Sequence, residues 1–313
     1  MALSDYVHTF GQAIKNQYGE RIHKLAIDAD FTCPNRDGTK GTGGCTFCNN
    51  SSFSPNGRQP KPLEQQIEAG RQVIRKRTRA NKYMAYFQAY TNTYADVNEL
   101  KTLYDRALAE EDVIGLSIGT RPDCLPEPVV ELLHSYQRQG YEIWLELGLQ
   151  SSSNETLQRV NRGHSYEDYC DAVNLARQYK IKVCTHLIAG LPGETGKDTV
   201  ASLLDVLGEG VDGLKIHPLH VVKGTALANE WRNNEYKPLG FNDYIQTVAN
   251  MVEMTPYNII FHRLTGTASE NILLAPQWCS KKWYVLNSIE RELIKRGSYQ
   301  GSALENKVYG CSQ

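Results

Sequence analysis

Residues 21–48 read RIHKLAIDADFTCPNRDGTKGTGGCTFC, a short β pattern running straight into a glycine-rich loop with three cysteines. Arg21–Ala29 alternates apolar and polar side chains, the period of a half-buried strand. Cys33, Cys45 and Cys48 follow, separated by eleven and then two residues. Gly38, Gly41, Gly43 and Gly44 fill the longer gap, and glycine lets a backbone turn tightly and approach a ligand closely. Loops beyond the carboxyl ends of parallel strands are where α/β sheets carry their chemistry. A cysteine cluster just after a first strand therefore marks the start of such a sheet.

The chain downstream keeps the pattern. Branched or aromatic runs occur at Tyr83–Ala89, Val113–Ile118, Glu142–Leu147, Lys182–Ile188 and Gly213–His217. Helical patterns alternate with them at Leu63–Arg79, Val97–Leu108, Pro126–Gln139, Ser165–Tyr179 and Thr195–Leu207. The alternation predicts a parallel sheet covered by helices, wrapped by right-handed crossovers into a barrel. Six strands predict a partial (β/α)6 barrel rather than a closed one. Thr265–Pro276 reads as loop and Lys282–Lys295 as an amphipathic helix stopped by Gly297. The expected organisation is an N-terminal extension (1–20), a core (21–264) and a short C-terminal cap or lid (265–313).

Of 313 residues, 41% are hydrophobic and 22% charged, and the net charge is −1. That balance excludes a globally basic, nucleic-acid-coating protein, although not a local basic patch. Met1–Phe10 lacks the basic and apolar regions of a signal peptide. No apolar run approaches the roughly 18 residues of a membrane span. A cytoplasmic protein with no membrane partner is expected. In that reducing compartment eight cysteines do not make a disulfide framework. Cys124, Cys170, Cys184, Cys279 and Cys311 are scattered, as buried small hydrophobes are.

Three readings compete for the cluster. Structural zinc needs four ligands, and no second C-x₂-C or nearby histidine supplies the fourth. A thioredoxin-like dithiol leaves Cys33 unexplained. An iron–sulfur cluster with three protein ligands uses all three cysteines and leaves one iron open to a cofactor or substrate.

Further stretches carry a resemblance. Leu147–Ser151 reads LGLQS, Arg162-Gly163-His164 begins 12 residues after Gln150, and Ala189–Thr195 reads AGLPGET. Together with the three cysteines, and Phe47 just before the last, these resemble the radical S-adenosylmethionine superfamily. The similar branch is that of the Elongator catalytic subunit and coproporphyrinogen dehydrogenase, which shows GxQS, RGH and GLPGxT at like offsets. The resemblance covers about Arg21–Ala226. The superfamily's usual C-x₃-C-x₂-C is replaced here by a long first gap, similar to that of a long-gap bacterial group.

The resemblance implies a radical-SAM partial barrel in which Cys33, Cys45 and Cys48 hold a [4Fe–4S] cluster. Its open iron would be chelated by S-adenosylmethionine, which reductive cleavage converts to a 5′-deoxyadenosyl radical. Positions matching Phe47, Gln150, Arg162, His186 and Gly190 are implied around that cofactor, with its amino group near Ala89–Thr91. His186 departs from the acid often found at its place. A flavodoxin or ferredoxin would supply electrons. The substrate stays unidentified; the resemblance implies either a tRNA wobble-uridine side chain, with tRNA as partner, or a related small molecule. The basic run Arg71–Lys82 is a candidate for RNA phosphates, or a solvated helix face. Tyr83, Tyr86, Phe87, Tyr90 and Tyr94 are candidates for base stacking or for barrel core. Cys279, between Trp278 and Trp283, is a candidate hydrogen donor in a lid, or plain packing. The alternative of another class is a non-catalytic iron–sulfur protein that senses redox state or binds a partner.

Overall fold

A computed structural model describes residues 2–49 and 61–309. Helix α1 (Phe10–Tyr18) is capped by the Thr9 hydroxyl and stopped by Gly19 at φ 75°. Strand β1 (Ile22–Ile27) follows, then α2 (Leu63–Thr78), β2 (Lys82–Phe87), α3 (Val97–Leu108), β3 (Val113–Thr120), α4 (Glu127–Arg138) and β4 (Glu142–Gln150). The short α5 (Asn154–Arg159) and α6 (Tyr166–Gln178) lead to β5 (Lys182–Ala189), α7 (Gly196–Gly208) and β6 (Gly213–Pro218). A small β7 (Val221–Val222), α8 (Ala226–Arg232) and α9 (Phe241–Met254) precede β8 (Ile260–Arg263). The chain continues through β9 (Leu273–Ala275), α10 (Lys282–Arg296) and α11 (Ser302–Tyr309).

Seven strands form one sheet in the order β1-β2-β3-β4-β5-β6-β8, and every pair is parallel. The expected partial barrel is therefore present with one strand more than six. The extra strand, β8, is only four residues long, too short to stand out as a pattern. The stretch expected as loop before Pro276 contains β9, which pairs antiparallel with β7. Lys24 on β1 reaches His262 on β8 at 3.1 Å, so the sheet curls until its two edges meet across the interior.

The outer face of the sheet is apolar. Leu25, Leu116, Ile118, Leu145, Leu147, Leu149, Leu187 and Ile216 join one buried cluster with the helices. The inner face is layered. At the strands' amino ends Ile22, Met84, Trp144 and Cys184 pack with Phe10 and Ile14 of α1, which plugs that end. Two residues further along the strands the layer is polar: Lys24, Tyr86, Ser117, Glu146, His186 and Lys215. Two further on, Gln88, Gly119, Gly148, Ile188 and His217 line open space. The absent side chains of Gly119 and Gly148 help leave that space open.

Among the described residues, no helix is long and apolar enough to cross a membrane. Helix α2 ends where β2 begins, so its exposed Arg75, Lys76 and Arg77 sit at the plugged end, away from the open space. Arg71 is tied to Glu110 at 2.7 Å and to Asp112, and Lys82 pairs with Glu20 at 3.0 Å.

Candidate active site

The cysteine loop is a strapped structure. The Cys33 carbonyl accepts from Arg36 N at 2.7 Å and Asp37 N at 3.1 Å, and the Cys45 carbonyl from Cys48 N at 3.0 Å. A Cβ on Gly41 would lie 2.4 Å from Asn35 Oδ1 and one on Gly44 2.6 Å from Arg36 Nε, so both positions need glycine for the close approach. Asn35 Nδ2 donates to the Asn161 carbonyl at 2.5 Å, Asn161 Nδ2 to the Gly44 carbonyl at 2.8 Å, and Thr46 N to the Val160 carbonyl at 3.0 Å. The loop is thereby fixed to the segment after α5. Arg162 completes the link: Nη2 donates to the Gly148 carbonyl at the end of β4 at 2.6 Å, and Nη1 to Cys45 Sγ at 3.5 Å.

Cys45 Sγ also faces Asn35 Nδ2 at 3.8 Å. Burial, with the Cys45 sulfur beside it, pushes the Cys48 thiol up to about 11, while Arg36 and Arg162 pull the other way. Cys33, Cys45, Cys48, Cys124, Cys170, Cys184 and Cys279 form no disulfide; Cys311 lies outside the described residues. No group of three or more His, Cys, Asp or Glu among the described residues converges as on a single ion. A multi-iron cluster makes a different demand, because each thiolate takes its own iron.

Cys33, Cys45, Phe47 and Cys48 line one cavity of about 220 Å³ at the open end of the barrel, together with Thr91, Gln150, Arg162 and His186. Of the residues expected around a cofactor, Ala89 and Gly190 are not in that lining. Ala89 is buried. Gly190 sits at φ 89°, accepts from the Tyr236 hydroxyl at 2.7 Å and packs on Leu239. Cys279 is fully buried with Val222, Ala268 and Leu273, outside the lining, and burial raises its thiol pKa.

Three polar groups of the cavity lining are orphaned among the described residues. Thr91 Oγ1, Arg162 Nε and His220 Nε2 are buried without a hydrogen-bond partner, a costly state that a polar ligand would relieve. Gln150 and Tyr90, both in the lining, hold left-handed φ values of 83° and 63°. Such backbone costs about 1–3 kcal/mol and clusters at functional sites. These residues fit a cluster-bound, polar cofactor.

Beneath the cavity lies a hub that reading the sequence missed. Glu146 is fully buried. Its carboxylate accepts from Lys24 Nζ at 2.5 Å, Ser117 Oγ at 2.5 Å, His186 Nε2 at 2.8 Å and Lys215 Nζ. Lys215 also donates to the Tyr86 hydroxyl at 2.9 Å. Burial alone would raise the Glu146 pKa, but Lys215 and Lys24 override it and hold it well below the usual carboxylate range. Burial depresses Lys215 to about 8 and, with Lys215's charge, His186 to about 4. At neutral pH His186 is therefore uncharged and donates a hydrogen bond from Nε2–H to the Glu146 carboxylate. The available signal was one polar residue on the inward phase of each strand.

Comparison with known proteins follows the same lines. The model of the Radical SAM superfamily matches residues 37–206, and that of the Radical_SAM C-terminal domain matches residues 211–295. Protein YhcC of Escherichia coli K12 is 44% identical over 304 residues, 97% of each chain. YtqA of Bacillus subtilis is 39% identical over 297 residues, 94% of this chain and 91% of its own. Mouse Elongator complex protein 3 is 29% identical over 148 residues, 46% of this chain and 26% of that protein. In structure, Methanocaldococcus infernus Elp3 with its N-terminus deleted matches with a TM-score of 0.65 at 20% identity. That match covers 89% of this chain and 64% of the archaeal chain, and it is a likeness of fold.

Proposed function

The chain belongs to the radical SAM superfamily and is an enzyme of that class; from this premise we propose that Cys33, Cys45 and Cys48 hold a [4Fe–4S] cluster and that the adjoining cavity binds S-adenosylmethionine. The observation that carries the reading is the opening of all three cysteines, with the orphaned Thr91 Oγ1 and Arg162 Nε, onto one cavity at the strands' carboxyl ends. When bound, the cluster supplies the electron that cleaves S-adenosylmethionine to a 5′-deoxyadenosyl radical. The chain's own groups bind and orient. Arg162 steadies the Cys45 sulfur and offers its Nε to the cofactor. Thr91 and Gln150 supply polar contacts, and Phe47 shields the cluster side. Glu146 fixes the His186 ring so that Nδ1 is the nitrogen left to accept. The α1 plug keeps water from entering at the far end.

The electron donor is a flavodoxin or ferredoxin. The substrate, following the resemblance to Elongator-like enzymes, is a tRNA wobble-uridine side chain. Tyr90, at the cavity and 38% exposed, is the aromatic that can stack a base there, whereas Tyr83 and Phe87 are buried. The basic run of α2 lies at the plugged end and contributes no contact at the cavity. The reading is tested by anaerobic reconstitution, reduction with dithionite and addition of S-adenosylmethionine. Release of 5′-deoxyadenosine is expected, and an intact, reduced cluster that releases none would sink it. The tRNA assignment is tested by comparing tRNA nucleosides from wild-type and deletion cells; identical profiles contradict it.

A further inference from the structure

The β8 side of the cavity holds a cation with no partner among the described residues. Arg263 lines the cavity, yet among the described residues no acid, carbonyl or hydroxyl is hydrogen-bonded or ion-paired to its guanidinium. Residues 50–60 contain no Asp or Glu that could serve. An arginine carries five donors in a planar fork suited to carboxylate or phosphate.

The backbone brings Arg263 there by a distortion. Phe261 packs outward in the core under the helices. His262 turns inward onto Phe10 and Trp144, with ring centroids 4.3 Å from each. The next residue of a regular strand would point outward again. Instead the pairing of β8 with β6 skips one residue, Leu214 facing Phe261 and Lys215 facing Arg263. Such bulges re-aim side chains beside active sites. Here the bulge delivers Arg263 into the interior next to Lys215.

The surroundings are cationic. Lys24, Lys215 and Arg263 share the interior with the carboxylate of Glu146, the one acid of the cavity lining among the described residues, whose oxygens are already taken by the two lysines, Ser117 and His186. Burial first, and Arg263's charge next, lower the pKa of His217 and Lys282. His217 stays neutral and does not add to the charge. Arg263 is not among the charges acting on the Cys48 sulfur, which are those of Cys45, Arg36 and Arg162.

We propose that Arg263 receives an anionic group of the substrate, a carboxylate or a phosphate, at the β8 side of the cavity. This deepens the proposed function and rests on its reading of the cavity. Arg263 would set specificity by anchoring the substrate in the cavity onto which the cysteines open.

The test uses the anaerobically reconstituted full chain, titrated calorimetrically with sodium acetate and with inorganic phosphate at constant ionic strength. Wild type should bind at least one probe saturably, and the tighter probe identifies the substrate's group. Arg263→Gln should weaken binding by about tenfold or more, as loss of a charge-assisted pair does. Arg263→Lys should stay within about threefold, because it keeps the charge. The melting temperature of Arg263→Gln should not fall, since a cation among cations is being removed. No saturable binding by wild type, equal binding by Arg263→Gln, or a collapse of its melting temperature would each overturn the inference. Release of 5′-deoxyadenosine is measured on the same wild-type sample. Release without anion binding overturns this inference alone, and anion binding without release overturns the cofactor reading alone.

Discussion

On β4, Leu145, Leu147 and Leu149 point outward into the apolar layer under the helices, while Trp144, Glu146 and Gly148 point inward. The outer residues hold the sheet to its cover and are interchangeable in kind. The inner residues change character every second position: aromatic plug, buried carboxylate, then a glycine whose missing side chain opens the cavity. One strand thus serves stability on one face and builds a site in three levels on the other. The contrast teaches that a polar residue on the inner phase of this barrel is a functional signal, because its burial is unfavourable unless several partners converge on it.

The contrast can be broken by substitution. Glu146→Ala leaves the Lys24 and Lys215 ammonium groups in the interior without their counter-charge and should cost about 3–5 kcal/mol in urea unfolding. Replacing the set by apolar residues (Lys24→Met, Glu146→Leu and Lys215→Met together) should restore most of that stability yet leave no turnover of S-adenosylmethionine. If the triple variant stays active, the inner face is structural after all. On the outer face Leu147→Ala should cost about 2–4 kcal/mol by leaving a cavity, with kcat nearly unchanged for the molecules that remain folded.

Acid should act on the inner face first. His186 and His220 are lowered to about 4 by burial, and His164 to about 3. The unfolded chain takes up their protons near pH 6.5, whereas the native protein refuses them until lower pH. Stability is therefore full above pH 6.5 and falls as pH drops toward 4, by about 1.4 kcal/mol per pH unit for each such histidine. Urea midpoints from pH 8 to pH 5 measure this, and a flat profile contradicts neutral buried histidines. The smallest effect is expected at Thr91→Val, which removes an orphaned hydroxyl. It should leave the fold alone and weaken S-adenosylmethionine binding by about fivefold, one hydrogen bond's worth.

Much of this was legible in the sequence. The alternation of strands and helices is written in periodicity, and the cysteine loop in its glycines and spacing. Gln150, Arg162 and Thr91 could be tied to the same pocket through motif order. Three things were not legible. Strand β8 is too short to show a pattern. The inward turn of Arg263 depends on a bulge, which shifts the alternation that sequence reading relies on. The Glu146 hub is assembled from β1, β3, β4, β5 and β6, so its partners are separated by up to 191 positions in the chain, from Lys24 to Lys215. Ala89 and Gly190 show the converse: motif position put them near a cofactor, while local packing gives each a place outside the cavity lining.

The central claim is that the cysteine loop and the cavity form one site, with the cofactor bound directly to the cluster. Electron paramagnetic resonance of the reduced protein with and without S-adenosylmethionine addresses it most directly. A change in the cluster's g-values on adding the cofactor is expected, and it should be lost in Arg162→Ala, which removes the link between Cys45 and the cavity. A reduced-cluster signal that S-adenosylmethionine leaves unaltered at saturating concentration would contradict the account.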